Sequence, residues 1–222
     1  VAAKIDALEA SPTQGIMLGS GMGAISAVFL GLLKSGDHIV AGDQLYGRSL
    51  RLLTQDLPRF GIECTFVDAG DAANVAAAMR PETKLVMVEV VSNPTLRIAD
   101  IDGIAAVIAQ HDNALLMLDN TFTTPRAIRA YDHGADVVVH SVTKLLAGHS
   151  DVTLGYVSVA DPTLRQPIVD AAVTWGLTPS PWDCWMAERG MHSFDLRFDR
   201  AQQTAGQIAD HLAGLDGVDA VI

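Results

Sequence analysis

Four lysines occur in the chain, and one of them emerges directly from a β-branched run: Val137-Val138-Val139-His140-Ser141-Val142-Thr143-Lys144. An amine leaving a buried strand beside hydroxyl groups can have its ammonium pKa lowered and attack a carbonyl carbon. A lysine snorkelling from a strand end explains the same segment without chemistry. Lys4, Lys34 and Lys84 occupy ordinary solvated positions near element ends. Lys144 is therefore the candidate nucleophile, ahead of Gly148-His149-Ser150-Asp151.

Other segments offer matching chemistry. Gly19-Ser20-Gly21-Met22-Gly23-Ala24 follows an apolar run and opens a helical one, so free N–H groups and the positive dipole end can receive a phosphate. Its spacing also fits G-x-G-x-x-A, with Asp43 placed as a ribose-binding acid, which keeps a dinucleotide reading open. Asp119 ends Leu115-Leu116-Met117-Leu118-Asp119, where a carboxylate is costly unless paired. It could bind a metal, cap a helix or hold a proton on a heterocyclic nitrogen. Asn93, in Val90-Val91-Ser92-Asn93-Pro94-Thr95, is a turn signal whose amide would face the same edge. Tyr46, in Gln44-Leu45-Tyr46-Gly47-Arg48, could lay its ring on a flat ligand or simply pack.

The elements that must carry these residues alternate. Strands are expected at 15–18, 37–41, 62–67, 85–90, 114–118, 136–140 and 153–159. Helices are expected at 22–34, 47–57, 71–80, 101–111 and 126–132, and again at 162–175, 181–191 and 195–214. Residues 1–10 read as a helix fragment, and 218–222 as the start of a strand. The alternation predicts an α/β fold with a mostly parallel sheet covered on both faces. Phosphate cradle, aromatic ring, amide, acid and lysine then share one rim, past successive strands. Pyridoxal 5′-phosphate carries a phosphate, a stackable ring, a pyridine nitrogen and an aldehyde, and so uses all of them. The dinucleotide reading leaves Lys144, Asp119 and Asn93 idle.

Composition narrows the partners. Apolar residues make up 49% and charged residues 18%, as in a globular chain, and the net charge of −11 disfavours nucleic acid and anionic membrane. No apolar run approaches the roughly 20 residues that span a bilayer. Cys64 and Cys184 stand far apart without CxxC spacing, which suits free thiols in a reducing, cytoplasmic setting. The histidines lack paired ligand spacing, so no metal is expected; His140 and His149, close to Lys144, could line the site.

The chain resembles the Cys/Met-metabolism pyridoxal-phosphate enzymes, which include cystathionine γ-synthase, the cystathionine β- and γ-lyases, methionine γ-lyase and the homoserine sulfhydrylases. The resemblance rests on Ser20-Gly21-Met22, Leu45-Tyr46-Gly47, Ser92-Asn93-Pro94-Thr95, Asp119-Asn120-Thr121-Phe122 and Ser141-Val142-Thr143-Lys144 with Gly148-His149-Ser150-Asp151. It implies a pyridoxal-phosphate-dependent transferase fold of type I, aspartate-aminotransferase-like, with a three-layer αβα large domain. That domain would occupy 1–194, and 195–222 would be a connecting helix and the start of a small domain. The resemblance assigns Lys144 to the cofactor aldehyde and to proton shuttling. It places Asp119 at the pyridine nitrogen and Tyr46 on the ring as a stacking group and base. It gives the phosphate to the amides of Gly21 and Met22 and the hydroxyls of Ser141 and Thr143. Asn93 would sit near the ring hydroxyl, and Thr121 in the ring environment. The implied reaction is β/γ-elimination or γ-replacement at a C–S or activated homoserine C–O bond, on cystathionine or an O-acyl-homoserine. Arg48 and Ser49, where methionine γ-lyases usually carry a Cys, turn the reading away from that branch. A homo-oligomer, a dimer of dimers with the site at a subunit interface, is also implied. An N-terminal Tyr and Arg for the neighbouring subunit's phosphate, and a C-terminal Arg for the substrate carboxylate, would come from outside this span. The 222 residues alone are expected to bind substrate poorly. The remaining alternatives are a nicotinamide (NAD(P)) oxidoreductase and a non-catalytic fragment of the fold.

Overall fold

A computed structural model describes residues 1–221. Seven strands are laid down in chain order: β1 (Ile16–Leu18), β2 (His38–Gly42), β3 (Glu63–Val67), β4 (Thr83–Glu89), β5 (Leu115–Asp119), β6 (Val137–Ser141) and β7 (Gly155–Val159). They form one sheet in the order β1-β7-β6-β5-β4-β2-β3. β3, β2, β4, β5 and β6 are mutually parallel, whereas β7 is antiparallel to both of its neighbours. β1 consequently runs in the same direction as β6, so the C-terminal ends of six strands lie along one edge.

The apolar character of the central strands follows from burial on both faces. Alternate side chains of β4 enter opposite cores: Leu85 and Met87 join one, Val86 and Val88 the other. β6 divides in the same way, Val137 and Val139 against Val138. The first core is covered by α2 (Gly21–Leu32) and, beyond α3 (Gly47–Arg51), by α7 (Arg165–Thr174). The second lies under α4 (Ala72–Ala78) and α5 (Ile101–Ile108). A third, smaller core joins α1 (Ala2–Glu9) and α8 (Pro181–Gly190) to the turn after β6. The expected three-layer α/β architecture is present.

Three local expectations are corrected. Residues 126–132 are not one helix: α6 (Thr124–Ala127) stops at extended Ile128 and Arg129, and a 3₁₀ turn covers Ala130–His133. The break follows from tertiary bonds, since the Asn120 side chain donates to the Ile128 carbonyl and Ala130 N–H donates to the Glu9 carboxylate. The stretch 47–57 begins as α3 but widens into a π-helical turn at Leu52–Asp56 and tightens at Leu57–Phe60, ending on left-handed Gly61. Residues 218–221 form no strand, and Ile222 lies outside the described residues. The long helix α9 (Phe194–Ala213) buries only Phe194. Among the described residues no helix is long and apolar enough to cross a membrane. Cys64 and Cys184 are free, and burial pushes the Cys64 thiol up to about 12.

Candidate active site

The C-terminal strand edge opens into a cavity of about 220 Å³. Its walls are contributed turn by turn. After β1, Ser20 adopts an extended conformation and caps α2 by accepting a hydrogen bond from Gly23 N–H on its Oγ, at 2.9 Å. The preceding amides, of Gly21 and Met22, stand at the first two helix positions, where no intrahelical carbonyl can reach them. A Cβ on Gly21 would lie 2.7 Å from the Ser141 Cβ, so only glycine lets the helix start approach the end of β6. Gly155 at the start of β7 is held to the same rule, because a Cβ there would strike the Ser20 carbonyl oxygen. The result is a cradle of N–H groups and the Ser141 hydroxyl, suited to an anion.

After β5, Asp119 faces the cavity and accepts from Thr121 N–H on Oδ1 at 3.0 Å. Burial raises its pKa, opposed by the Thr121 hydrogen bonds and the nearby His140. No Lys, Arg or His among the described residues stands within ion-pair distance of it. A half-buried carboxylate without a cation is what a protonated ring nitrogen would complete. Thr121 turns its Oγ1 to accept from Ser141 N–H at 2.8 Å, locking the β5 and β6 turns together. Thr143 lines the cavity, but its hydroxyl donates to the Leu154 carbonyl and accepts from Leu154 N–H. It must exchange the carbonyl for another acceptor before it can donate to a phosphate.

Lys144 follows in the turn after β6, reaches the cavity and is exposed to it. No carboxylate among the described residues lies within ion-pair distance of its Nζ, so the amine is not tied down. Tyr46 and Asn93 complete the wall from the turns after β2 and β4. Thus Gly21, Met22, Tyr46, Asn93, Asp119, Thr121, Ser141, Thr143 and Lys144, spread over 124 positions of sequence (144 − 21 + 1), share one cavity.

Glu89 was not singled out from the sequence. It ends β4 beside Asp119, its partner in the parallel register, and lines the cavity. One oxygen accepts from Tyr46 N–H at 2.6 Å and the other from Asn93 N–H at 3.2 Å. Burial, and secondarily the charge of Asp119, push its carboxyl up to about 7, against the pull of the two amides. The signal was available: an acid closing an apolar strand is the pattern that exposed Asp119. His140 and His149 are corrected in the other direction, since neither lines the cavity. His140 is fully buried behind the sheet edge, with Nε2 2.6 Å from Glu9 Oε1, and His149 Nδ1 lies 2.6 Å from the Ala147 carbonyl.

The dinucleotide alternative fails on topology. That fingerprint needs a turn after a parallel strand inside the sheet, whereas β1 is an edge strand paired antiparallel with β7. Gly19 N–H is bonded to the Leu177 carbonyl, and Asp43 stands 3.9 Å from Arg97 and does not line the cavity that holds Lys144.

The model of the Cys/Met metabolism PLP-dependent enzyme family matches residues 1–222. The chain belongs to that family. It is 43% identical over 206 residues to the cystathionine β-lyase MetC of Bacillus subtilis (strain 168), covering 93% of this chain and 52% of that protein. Cystathionine γ-lyase of the same organism is 41% identical over 212 residues, covering 93% and 55%. Among solved structures, cystathionine γ-lyase from Lactobacillus plantarum complexed with L-serine superposes with a TM-score of 0.92 at 37% identity, covering 97% of this chain and 56% of that one. The chain therefore spans about half the length of the relatives it matches.

Proposed function

We propose that the chain is the cofactor-binding part of a pyridoxal-phosphate-dependent enzyme of sulfur amino-acid metabolism, acting on cystathionine or an O-acyl-homoserine. The observation that carries this reading is the single cavity that joins an untethered lysine, a half-buried carboxylate without a cation and a glycine-built anion cradle. Bound pyridoxal phosphate supplies an electron sink for bond cleavage at Cα, Cβ or Cγ. The chain's own residues supply the rest. The Gly21 and Met22 amides and the Ser141 hydroxyl hold the phosphate, joined by Thr143 once its hydroxyl turns. Asp119 would accept the ring N–H and keep it protonated. The Tyr46 ring would stack on the cofactor, the Asn93 amide would serve its ring hydroxyl, and Thr121 would line the ring environment. Lys144 Nζ would hold the cofactor through its aldehyde and would carry the Cα proton of the substrate, with Tyr46 as a second base.

The relatives support elimination at Cβ or Cγ, and γ-replacement is the third outcome within the same chemistry. A division into a large domain over 1–194 and a connecting helix from 195 is supported by α9, whose one buried residue is Phe194 at its start. A cytoplasmic homo-oligomer is supported by free thiols and by exposed, stacked Trp182 and Trp185, 5.1 Å apart between ring centroids, and a site at a subunit interface is what the family resemblance implies.

The full-length protein tests this directly. Its visible absorption is recorded with added cofactor, before and after borohydride, and the modified peptide is mapped. A yellow band bleached by borohydride, with label on Lys144, is expected, together with turnover of cystathionine or of O-acyl-homoserine plus cysteine. Lys144→Ala should remove the label and lower turnover by at least about 10²–10⁴-fold. A colourless protein, inactive on all these substrates, overturns the reading.

A further inference from the structure

We propose that Glu89 is a positioning residue: its carboxylate clamps the loop carrying Tyr46 and the loop carrying Asn93 onto the end of β4, so that both are set against the cofactor ring together. The inference rests on the functional reading above, because the ring is what the two loops are set against. Each carboxylate oxygen is committed to a different loop, Oε1 to Tyr46 N–H and Oε2 to Asn93 N–H. The two acceptors lie on one side chain, at the end of a strand whose neighbour carries Asp119 in register. Tyr46 and Asn93 stand 47 positions apart (93 − 46), and their turns belong to β2 and β4, themselves paired in parallel. Neither loop contains a regular element at the residue concerned: Tyr46 precedes α3, and Asn93 follows the last residue of β4. A single buried anchor thus does what two separate caps would otherwise have to do. Charge-assisted acceptance by a carboxylate makes such bonds stronger than neutral ones. The titratable groups lining the same cavity are Asp119 from β5, Tyr46 from the turn after β2 and Lys144 from the turn after β6.

The test compares full-length wild type, Glu89→Gln and Glu89→Ala, each verified as folded by circular dichroism. Two readouts are taken: amide hydrogen exchange of the segments containing Tyr46 and Asn93 without cofactor, and the dissociation constant for pyridoxal phosphate by absorbance titration. In Glu89→Ala both segments should exchange faster, and cofactor binding should weaken about ten- to a hundredfold, with borohydride still labelling Lys144. Glu89→Gln keeps the volume but one acceptor oxygen, so it should release one segment and weaken binding by a smaller factor. Unchanged exchange in both variants overturns the clamp. Faster exchange with unchanged cofactor affinity overturns its role in setting the ring contacts. Failure of the wild type itself to bind the cofactor overturns the functional reading and this inference with it, and is distinguished by occurring without any substitution.

Discussion

At the residue scale, the chemistry depends on groups whose ordinary properties are altered by enclosure. Asp119 gains one backbone N–H from Thr121 and no cation, and burial drives its pKa upward. A ring nitrogen that keeps its proton would reverse that shift, because an opposite charge favours the ionised carboxylate. Asp119→Asn removes the charge while keeping the shape. It should leave Lys144 labelled by borohydride but lower turnover by about 10²-fold or more, measured as kcat/KM on cystathionine. Asp119 and Lys144 were legible from sequence because each breaks a local rule, an acid or an amine at the mouth of an apolar strand. Glu89 carries the same signal, an acid near the end of the apolar run expected as the strand 85–90. What the sequence could not convey is that its two oxygens meet Tyr46 and Asn93, since that contact is made between turns of different strands.

Among the elements, α1 has a role that its composition conceals. Its last residue, Glu9, is fully buried and gathers His140 of β6 at 2.6 Å, the Asn120 side chain at 2.8 Å and Ala130 N–H at 3.1 Å. The helix thus pins the backs of β5 and β6, the two strands whose ends carry Asp119 and Lys144. Glu9→Ala leaves His140 Nε2 and Ala130 N–H unpaired and strips the Asn120 amide of one of its two acceptors, the Ile128 carbonyl remaining. It should lower stability by about 3–5 kcal/mol, read from urea-induced unfolding of the full-length protein. Alternation of strands and helices was readable because burial on both faces forces continuous apolar runs onto central strands. The interruption of α6 was not, because the competing partners for its backbone, Glu9 and Asn120, act across the tertiary fold.

For the molecule as a whole, the strand edge brings two carboxylates into one enclosed space, and this has a consequence for pH. Glu89 titrates at about 7 in the folded chain, well above an unfolded Glu at about 4.5. Between those values the native state holds the proton more tightly than the unfolded state, so this group's contribution to stability falls as pH rises from about 4.5 to 7 and is level beyond. Asp119 acts in the same direction. Urea unfolding of the cofactor-free protein should show wild type losing stability from pH 5 to pH 8, and Glu89→Gln losing less. By itself the sequence determined the α/β class, the order of the site segments and the candidate residues that share the cavity, because periodicity and strand-end chemistry are local properties of the chain. The tertiary structure alone decided that β7 runs antiparallel and returns β1 to the same edge, so that the α2 amides face Ser141. It also decided which carboxylate clamps the loops and which histidine is hidden. Those outcomes depend on strand order and on contacts across more than a hundred residues of chain, such as the 131 that separate Glu9 from His140, and no local pattern encodes them.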